Sequence, residues 1–282
     1  MEKILVATLL TCHNRKETTL ACLKALYSQT GMEGVEVNTY LVDDGCTDGT
    51  GDAVREAFPG VRVLQGDGNL YWCGGMRFAW AEAMKENYDY YLWLNDDTLL
   101  FDNALRTMLD TAVTVRESHG QDGIVVGSTC DPDTGKQTYG GVQRIDKTLG
   151  FRLIEPSDKP QCCDTMNGNC VLISKAVARV TGNLSGRFTH AIGDTDYGLR
   201  ACRDGFSCWI AAGYVGECRQ NPRPDWTNPE TPLRERLKNL RDPKGLPPGE
   251  WIEFAKRHAG WRWPLYAMKL WLRVLFPGIW KL

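Results

Sequence analysis

Several familiar signatures are missing from this sequence. No stretch approaches the roughly 20 consecutive apolar residues that a helix needs to cross a bilayer. The opening segment, MEKILVATLLTCHNR, has only a short apolar run and no small-residue cleavage site, so it reads as a strand and not as a signal peptide. The eleven cysteines include no C-x-x-C pair and show no metal-ligand spacing. That usage predicts reduced, mostly buried thiols and a cytoplasmic setting. Charge is close to balanced, with 33 Lys and Arg against 35 Asp and Glu for a net charge of −2, so no nucleic acid partner is expected. The stretch TLLTCHNRKET contains no glycine. A dinucleotide-binding dehydrogenase would need G-x-G-x-x-G there, and a sugar-nucleotide pyrophosphorylase would need a Gly-rich basic loop.

What is present is a strand-helix alternation. The 282 residues suffice for one large α/β domain with an appendage. Strands are predicted over 4–10, 35–42, 61–65 and 90–94, alternating with helices over 16–28, 50–58, 75–87 and 102–117. This order predicts a mostly parallel, Rossmann-like sheet with helices on both faces. After residue 123 short strands follow, predicted as a small mixed sheet, then a helix over 194–204 and a strand over 207–211. A Pro-rich segment from 221 and a C-terminal helical extension complete the chain.

In open α/β sheets ligands collect at the carboxyl ends of the strands, and polar clusters stand at those ends here. The fourth strand runs YYLWL into Asn95, Asp96 and Asp97. Two acids at the end of an apolar strand imply an exposed mouth, a hard divalent cation, or both; a helix cap is the plainer alternative. The second strand ends in Asp43 and Asp44, followed by GCTDGT. Those acids suit a nucleobase N–H or ribose hydroxyls, or else a turn. Gly74 and Gly75 precede the predicted third helix, where backbone N–H groups can face a diphosphate, although a tight turn explains them as well.

These pieces occur in a telling order: TCHNR, VDDGCTDGT, GNLYWCGGM, LNDD, NGNCVLIS and GDTDYGLRACRDG. Together, over about residues 3–215, they resemble the family 2 glycosyltransferases of the GT-A fold, and within them the bacterial rhamnosyltransferase-like enzymes of surface-polysaccharide assembly. The resemblance implies an inverting transferase that takes a nucleotide-diphosphate sugar donor, a saccharide acceptor and Mg²⁺ or Mn²⁺. It places Thr11, His13, Asn14, Arg15, Asp43, Asp44, Asn69, Gly75 and Asp96 at the nucleotide. Asn95 occupies the first slot of the family's D-x-D motif, which leaves Asp97 as the direct metal ligand, with His190 as a further ligand or diphosphate contact. The family's Glu-Asp catalytic pair becomes Gly193–Asp194, so Asp194 falls in the base slot. Asp196 is then a structural or substrate-orienting acid, and Trp72, Tyr139 and Asn167 are expected to line the sugar pocket. On this reading residues 1–220 form the transferase domain, with a nucleotide-binding half over about 1–122 and an acceptor half over about 123–220. The departures at Asn95 and Gly193 leave a non-catalytic sugar- or nucleotide-binding protein as the alternative.

The tail over 221–282 differs in composition. Trp251, Trp261, Trp263, Trp271 and Trp280 lie in the last 32 residues, and from Trp261 onward the charges are Arg262, Lys269, Arg273 and Lys281, all basic. Lys269 and Arg273 share a helix face, while Leu265, Met268, Leu272 and Leu275 gather elsewhere. That pattern predicts a helix lying in a membrane interface, peripheral on the inner face of the cell membrane, where it would meet an acceptor on a polyprenyl lipid. Docking on the chain's own domain or on a second subunit is the alternative.

Overall fold

Strands buried on both faces run through the middle of the molecule. The computed structural model describes residues 3–146, 148–222 and 224–278. In chain order the first half contains β1 (Ile4–Cys12), α1 (Lys16–Tyr27), β2 (Val35–Asp43), α2 (Thr50–Ala57), β3 (Arg62–Gln65), α3 (Tyr71–Ala83), β4 (Tyr90–Leu94), β5 (Leu99–Leu100) and α4 (Ala104–His119). The second half continues with β6 (Ile124–Cys130), β7 (Gln137–Tyr139), β8 (Gly141–Arg144), β9 (Phe151–Leu153), β10 (Gln161–Cys163), β11 (Thr165–Met166) and β12 (Cys170–Ser174). Then come α5 (Lys175–Thr181), α6 (Gly193–Arg203), β13 (Cys208–Glu217), α7 (Leu233–Arg241), α8 (Pro248–His258) and α9 (Trp263–Leu275).

One large sheet has the order β10–β13–β6–β12–β4–β1–β2–β3, with β5 on β13 and β7 on β6. The strands β4, β1, β2 and β3 are parallel, as the alternation with helices requires. β12 then enters antiparallel between β4 and β6, and β13 lies parallel to β6. Strands from the second half thus extend the first sheet, while β8, β9 and β11 form a separate three-stranded antiparallel sheet. The result is the α/β, Rossmann-like architecture expected, with helices flanking the sheet and further helices at the C-terminus.

Successive side chains on a strand point to opposite faces, and the core divides accordingly. On β4, Tyr91 and Trp93 join one cluster with Trp80 and Tyr197, while Tyr90, Leu92 and Leu94 join the other with Leu23 and Met108. All five residues of β4 are buried, which accounts for the run YYLWL before the acids.

One boundary differs from expectation. α3 begins at Tyr71, four residues before the predicted start, so Gly74 and Gly75 lie inside the helix and not ahead of it. The start is set from a distance: Asp44 Oδ2 accepts the N–H groups of Leu70 and Tyr71 at 3.0 and 3.1 Å. Gly75 answers a packing need, since a Cβ there would lie 2.1 Å from Thr11 Oγ1.

The C-terminal helices pack on the domain. Phe254 and Ala255 of α8 share a buried cluster with Cys73, Leu149 and Phe188, and α9 contributes Leu270 and Val274 to a second cluster with Leu240 of α7. The opposite side of α9 is open: Leu265, Met268, Leu272, Leu275 and Phe276 are exposed. Among the described residues no helix is long and apolar enough to cross a membrane. Trp280 and Lys281 lie outside the described residues.

Candidate functional site

The carboxyl ends of β1, β2 and β4 share one edge of the sheet, and the polar clusters meet there. The two loops nearest β1 and β2 are tied together. His13 donates from Nδ1 to the Asp44 carbonyl at 2.6 Å, and Asn14, with a left-handed φ of 52°, accepts from the Thr47 N–H at 2.7 Å. Asp43 Oδ1 accepts from the Cys46 N–H at 2.8 Å. Asp44 Oδ1 takes the Gly68 N–H at 2.8 Å, in addition to the two amides that start α3. The hydrogen bonds of both acids therefore run to backbone N–H groups and shape the rim of the crevice. Asn69 is exposed on the same rim, its N–H bonded to Asp67.

At the end of β4 the three polar residues have separate surroundings. Asn95 Oδ1 accepts from the indole N–H of Trp72 at 2.7 Å. Asp96 is buried beneath the mouth, facing Arg15 Nη1 at 3.3 Å and the Thr19 hydroxyl at 3.4 Å. Burial pushes its carboxyl up to about 7, against the pull of Arg15. Asp97 Oδ2 accepts from Arg15 Nη1 at 2.6 Å and from Asn221 Nδ2 at 2.9 Å, and its Oδ1 faces the Cys218 thiol at 3.5 Å. Arg15 Nη2 also reaches Asn221 Oδ1 at 3.2 Å.

Neither Asn221 nor Cys218 stands out in the sequence. Both follow the end of β13, and the antiparallel pairing of Gly216 and Glu217 with Leu100 and Leu99 of β5 brings them to the residues that follow β4. Asn221 opens the segment predicted as a linker, yet it lies against Asp97, and its N–H donates to the Tyr139 hydroxyl at 2.9 Å.

A continuous path of contacts leads from here to α6. Asn95 holds Trp72, and the Trp72 ring lies against Gly168, where a Cβ would sit 2.4 Å from two ring carbons. Glycine at 168 is thus imposed by the close approach of the indole. The Gly168 N–H donates to Asp194 Oδ2 at 2.8 Å, and the Thr195 N–H donates to Asp194 Oδ1 at 2.7 Å. Asn167 flanks this turn, accepting from the Gly140 N–H at 3.4 Å. His190 stands edge-on to Tyr71, ring centroids 6.3 Å apart. Asp196, in contrast, is fully buried behind the crevice, bonded to Arg200 at 2.9 Å, to Arg257 at 3.2 Å and to His258 at 2.9 Å.

Among the described residues no group of three or more His, Cys, Asp or Glu side chains is placed to hold a metal ion. Mg²⁺ ordinarily uses about one or two carboxylates beside substrate phosphates. A thiol is a weak donor, so Asp97 Oδ1 retains acceptor capacity. The donor set fits an ion that arrives with a diphosphate, not one caged by protein.

Comparison with known proteins agrees with this geometry. A solved structure titled "Crystal structure of S. aureus TarS" superposes with a TM-score of 0.55 at 14% identity, covering 93% of this chain and 44% of that one. The likeness is therefore one of fold, and this chain spans less than half the length of TarS. No curated protein matches the sequence. The model of the family described as "Glycosyl transferase family 2" matches residues 8–180, a span that holds the loops after β1, β2, β3 and β4 and the turn at Gly168, and that stops short of Asp194. With more than half of its length matched and those loops gathered at one sheet edge, the chain belongs to glycosyl transferase family 2.

Proposed function

We propose that this protein is an inverting glycosyltransferase that moves a sugar, of the rhamnose type, from a nucleotide-diphosphate donor to a hydroxyl of a saccharide acceptor. The observation that carries the reading is the contact path from Asn95, two residues before Asp97 at the end of β4, through Trp72 and Gly168 to Asp194. In a chain of family 2, that path supports reading Asp97 and Asp194 as two carboxylates of one site.

The donor's nucleoside is assigned to the rim formed by residues 11–15, 43–48 and 66–70, and its diphosphate to the neighbourhood of Arg15. Arg15 is a fork of N–H donors suited to phosphate, and a bound diphosphate would compete with Asp97 for it. A divalent cation, Mg²⁺ or Mn²⁺, held by Asp97 would draw off charge from the departing diphosphate. Asp194 takes the proton of the acceptor hydroxyl. Its two oxygens are each oriented by a backbone N–H, which fixes the direction of the carboxylate. Trp72 offers a flat apolar face between the two ends, a surface suited to a sugar ring, with Tyr139 and Asn167 beyond it.

The acceptor is assigned to a polyprenyl carrier, met at the inner face of the membrane by the open side of α9. Exposed Leu265, Met268, Leu272 and Phe276 with Lys269 and Arg273 nearby support an interfacial helix. A thermal-shift panel of nucleotide sugars with Mn²⁺ selects the donor. Mixing that donor with polyprenyl-linked saccharides should release free nucleoside diphosphate in step with product. A donor that binds yet yields no diphosphate with any acceptor would point to a binding protein and end this reading.

A further inference from the structure

The residues two positions before and two positions after Asp194 both lie in surroundings to which the C-terminal extension contributes. Ile192, the earlier of the two, has a left-handed φ of 56°, a conformation that a β-branched residue adopts only when its surroundings impose it. The side chain of Ile192 packs against a buried cluster of Cys73, Leu149 and Phe188 with Phe254 and Ala255 of α8. Asp196, the later one, is completely buried. A buried carboxylate persists only when paired and hydrogen-bonded, and two of its three partners come from α8. His258 Nε2 meets Oδ1 at 2.9 Å, and Arg257 Nη1 lies 3.2 Å from both oxygens.

α8 is itself anchored. The His258 carbonyl accepts from Arg144 of β8 at 2.6 Å, and Arg257 also donates to the Ser185 hydroxyl at 3.1 Å. The helix start that carries Asp194 is therefore tied through Asp196 to a helix lying some 60 residues further along the chain, and α8 also helps build the cluster on which Ile192 rests.

We propose that α8 is part of the catalytic apparatus, with His258 and Arg257 acting as positioning residues for Asp194 through Asp196. The inference rests on the assignment of Asp194 as the base. It gives the C-terminal extension a role in the chemical step that is separate from any role in reaching a membrane. Removing residues from 248 onward would then abolish transfer to a water-soluble acceptor as well as to a lipid-borne one. Loosening the grip should misplace the base toward the acceptor hydroxyl while leaving the nucleotide rim, on the far side of Trp72, unchanged.

The test uses the full chain, a water-soluble acceptor and four variants. His258→Leu removes the bond to Asp196; His258→Gln restores a donor near the Nε2 position. In folded protein, His258→Leu should lower kcat at least tenfold while donor KM, and nucleoside-diphosphate affinity by calorimetry, stay within twofold of the starting protein. His258→Gln should recover kcat to within threefold. If His258→Leu does not fold, Phe254→Leu loosens the same helix without touching Asp196 and should show the same split between kcat and donor KM. Unchanged kcat, or kcat and donor affinity falling together without rescue by His258→Gln, overturns the inference. Asp194→Asn is measured beside them. If it is inactive while the α8 variant turns over normally, the positioning role alone fails; if it stays active, the base assignment fails and takes this inference with it.

Discussion

Trp72 donates its indole N–H to the side-chain oxygen of Asn95 at 2.7 Å, and this bond spans from α3 to the end of β4. Asn95 thereby fixes the ring lying over Gly168. Trp72→Phe keeps an aromatic ring but leaves Asn95 Oδ1 without that donor. The loss should cost about 1–3 kcal/mol of stability, read by denaturant unfolding. If the ring platform supports the sugar, Trp72→Ala should raise KM for donor or acceptor by more than Trp72→Phe does, which steady-state kinetics will separate.

Asp194 receives backbone N–H groups on both oxygens. In Asp194→Asn one of those donors must face the new amide NH₂, so the variant should lose about 1–3 kcal/mol of stability in addition to its basicity. General-base removal costs about 10²–10⁴ in rate, and transfer should fall by at least the lower figure while nucleoside-diphosphate binding remains. Product formation assayed below the melting temperature of the variant checks this. Retention of a tenth of the turnover would exclude Asp194 as the base.

Asp97 is bonded to Arg15 and Asn221, so its replacement disturbs two protein partners whether or not a cation is bound. Asp97→Asn keeps an oxygen for Arg15 and is the cleaner variant. Calorimetry with a nucleoside diphosphate should show Mn²⁺ tightening binding in the original protein and not in Asp97→Asn, with Mn²⁺-free affinities similar. Equal Mn²⁺ enhancement in both would remove Asp97 as the metal-holding residue.

Much of this arrangement is legible without the fold, and the exceptions share a cause. β1, β2 and β4 are visible as apolar runs because both faces of the sheet are covered, and the polar residues that end those runs are where the crevice lies. The start of α3 is hidden because a Gly-Gly pair reads as a break. Its real N-terminus is fixed by Asp44, 26 and 27 residues earlier, through a contact that no local pattern encodes. Asn221 reaches Asp97 through the pairing of the end of β13 with β5. Likewise His258, in a segment whose composition suggests a surface helix, reaches Asp196 only because α8 folds back on α6. Residues at strand ends announce themselves; residues delivered by the return of the chain do not.

The buried Asp196 makes a pH-dependent prediction. Burial raises its carboxyl, but His258, Arg200 and Arg257 outweigh that effect and hold it below its ordinary value. The native state therefore holds fewer protons than the unfolded chain in the acid range, and stability rises with pH there. The contribution is complete above the unfolded value of about 3.9 and is lost as pH falls through the lower folded value. Asp196→Asn leaves Arg200 and Arg257 without their anion, a change that costs about 3–5 kcal/mol for buried pairs. The gap between the two proteins should be largest at neutral pH and should narrow below pH of about 4, measured by urea unfolding across that range.

The membrane reading of α9 requires a different kind of variant from a truncation. Cutting the chain near residue 250 would strip His258 and Arg257 from Asp196 and expose the cluster around Phe254, so failure to bind vesicles would then report damage to the domain. The two sides of α9 separate the questions. Leu270 and Val274 are buried against α7, whereas Leu265 and Met268 are exposed at 48% and 52%, so charges placed at the latter two should leave the fold intact. Leu265→Glu with Met268→Glu should abolish co-sedimentation with anionic vesicles at unchanged melting temperature and unchanged activity on a soluble acceptor. Replacing Lys269 and Arg273 by Gln should weaken binding by about 1 kcal/mol per charge, and raising the salt to 1 M, where the Debye length is about 3 Å, should erase that difference. Vesicle binding that is indifferent to both pairs of substitutions would return the open face of α9 to a protein partner.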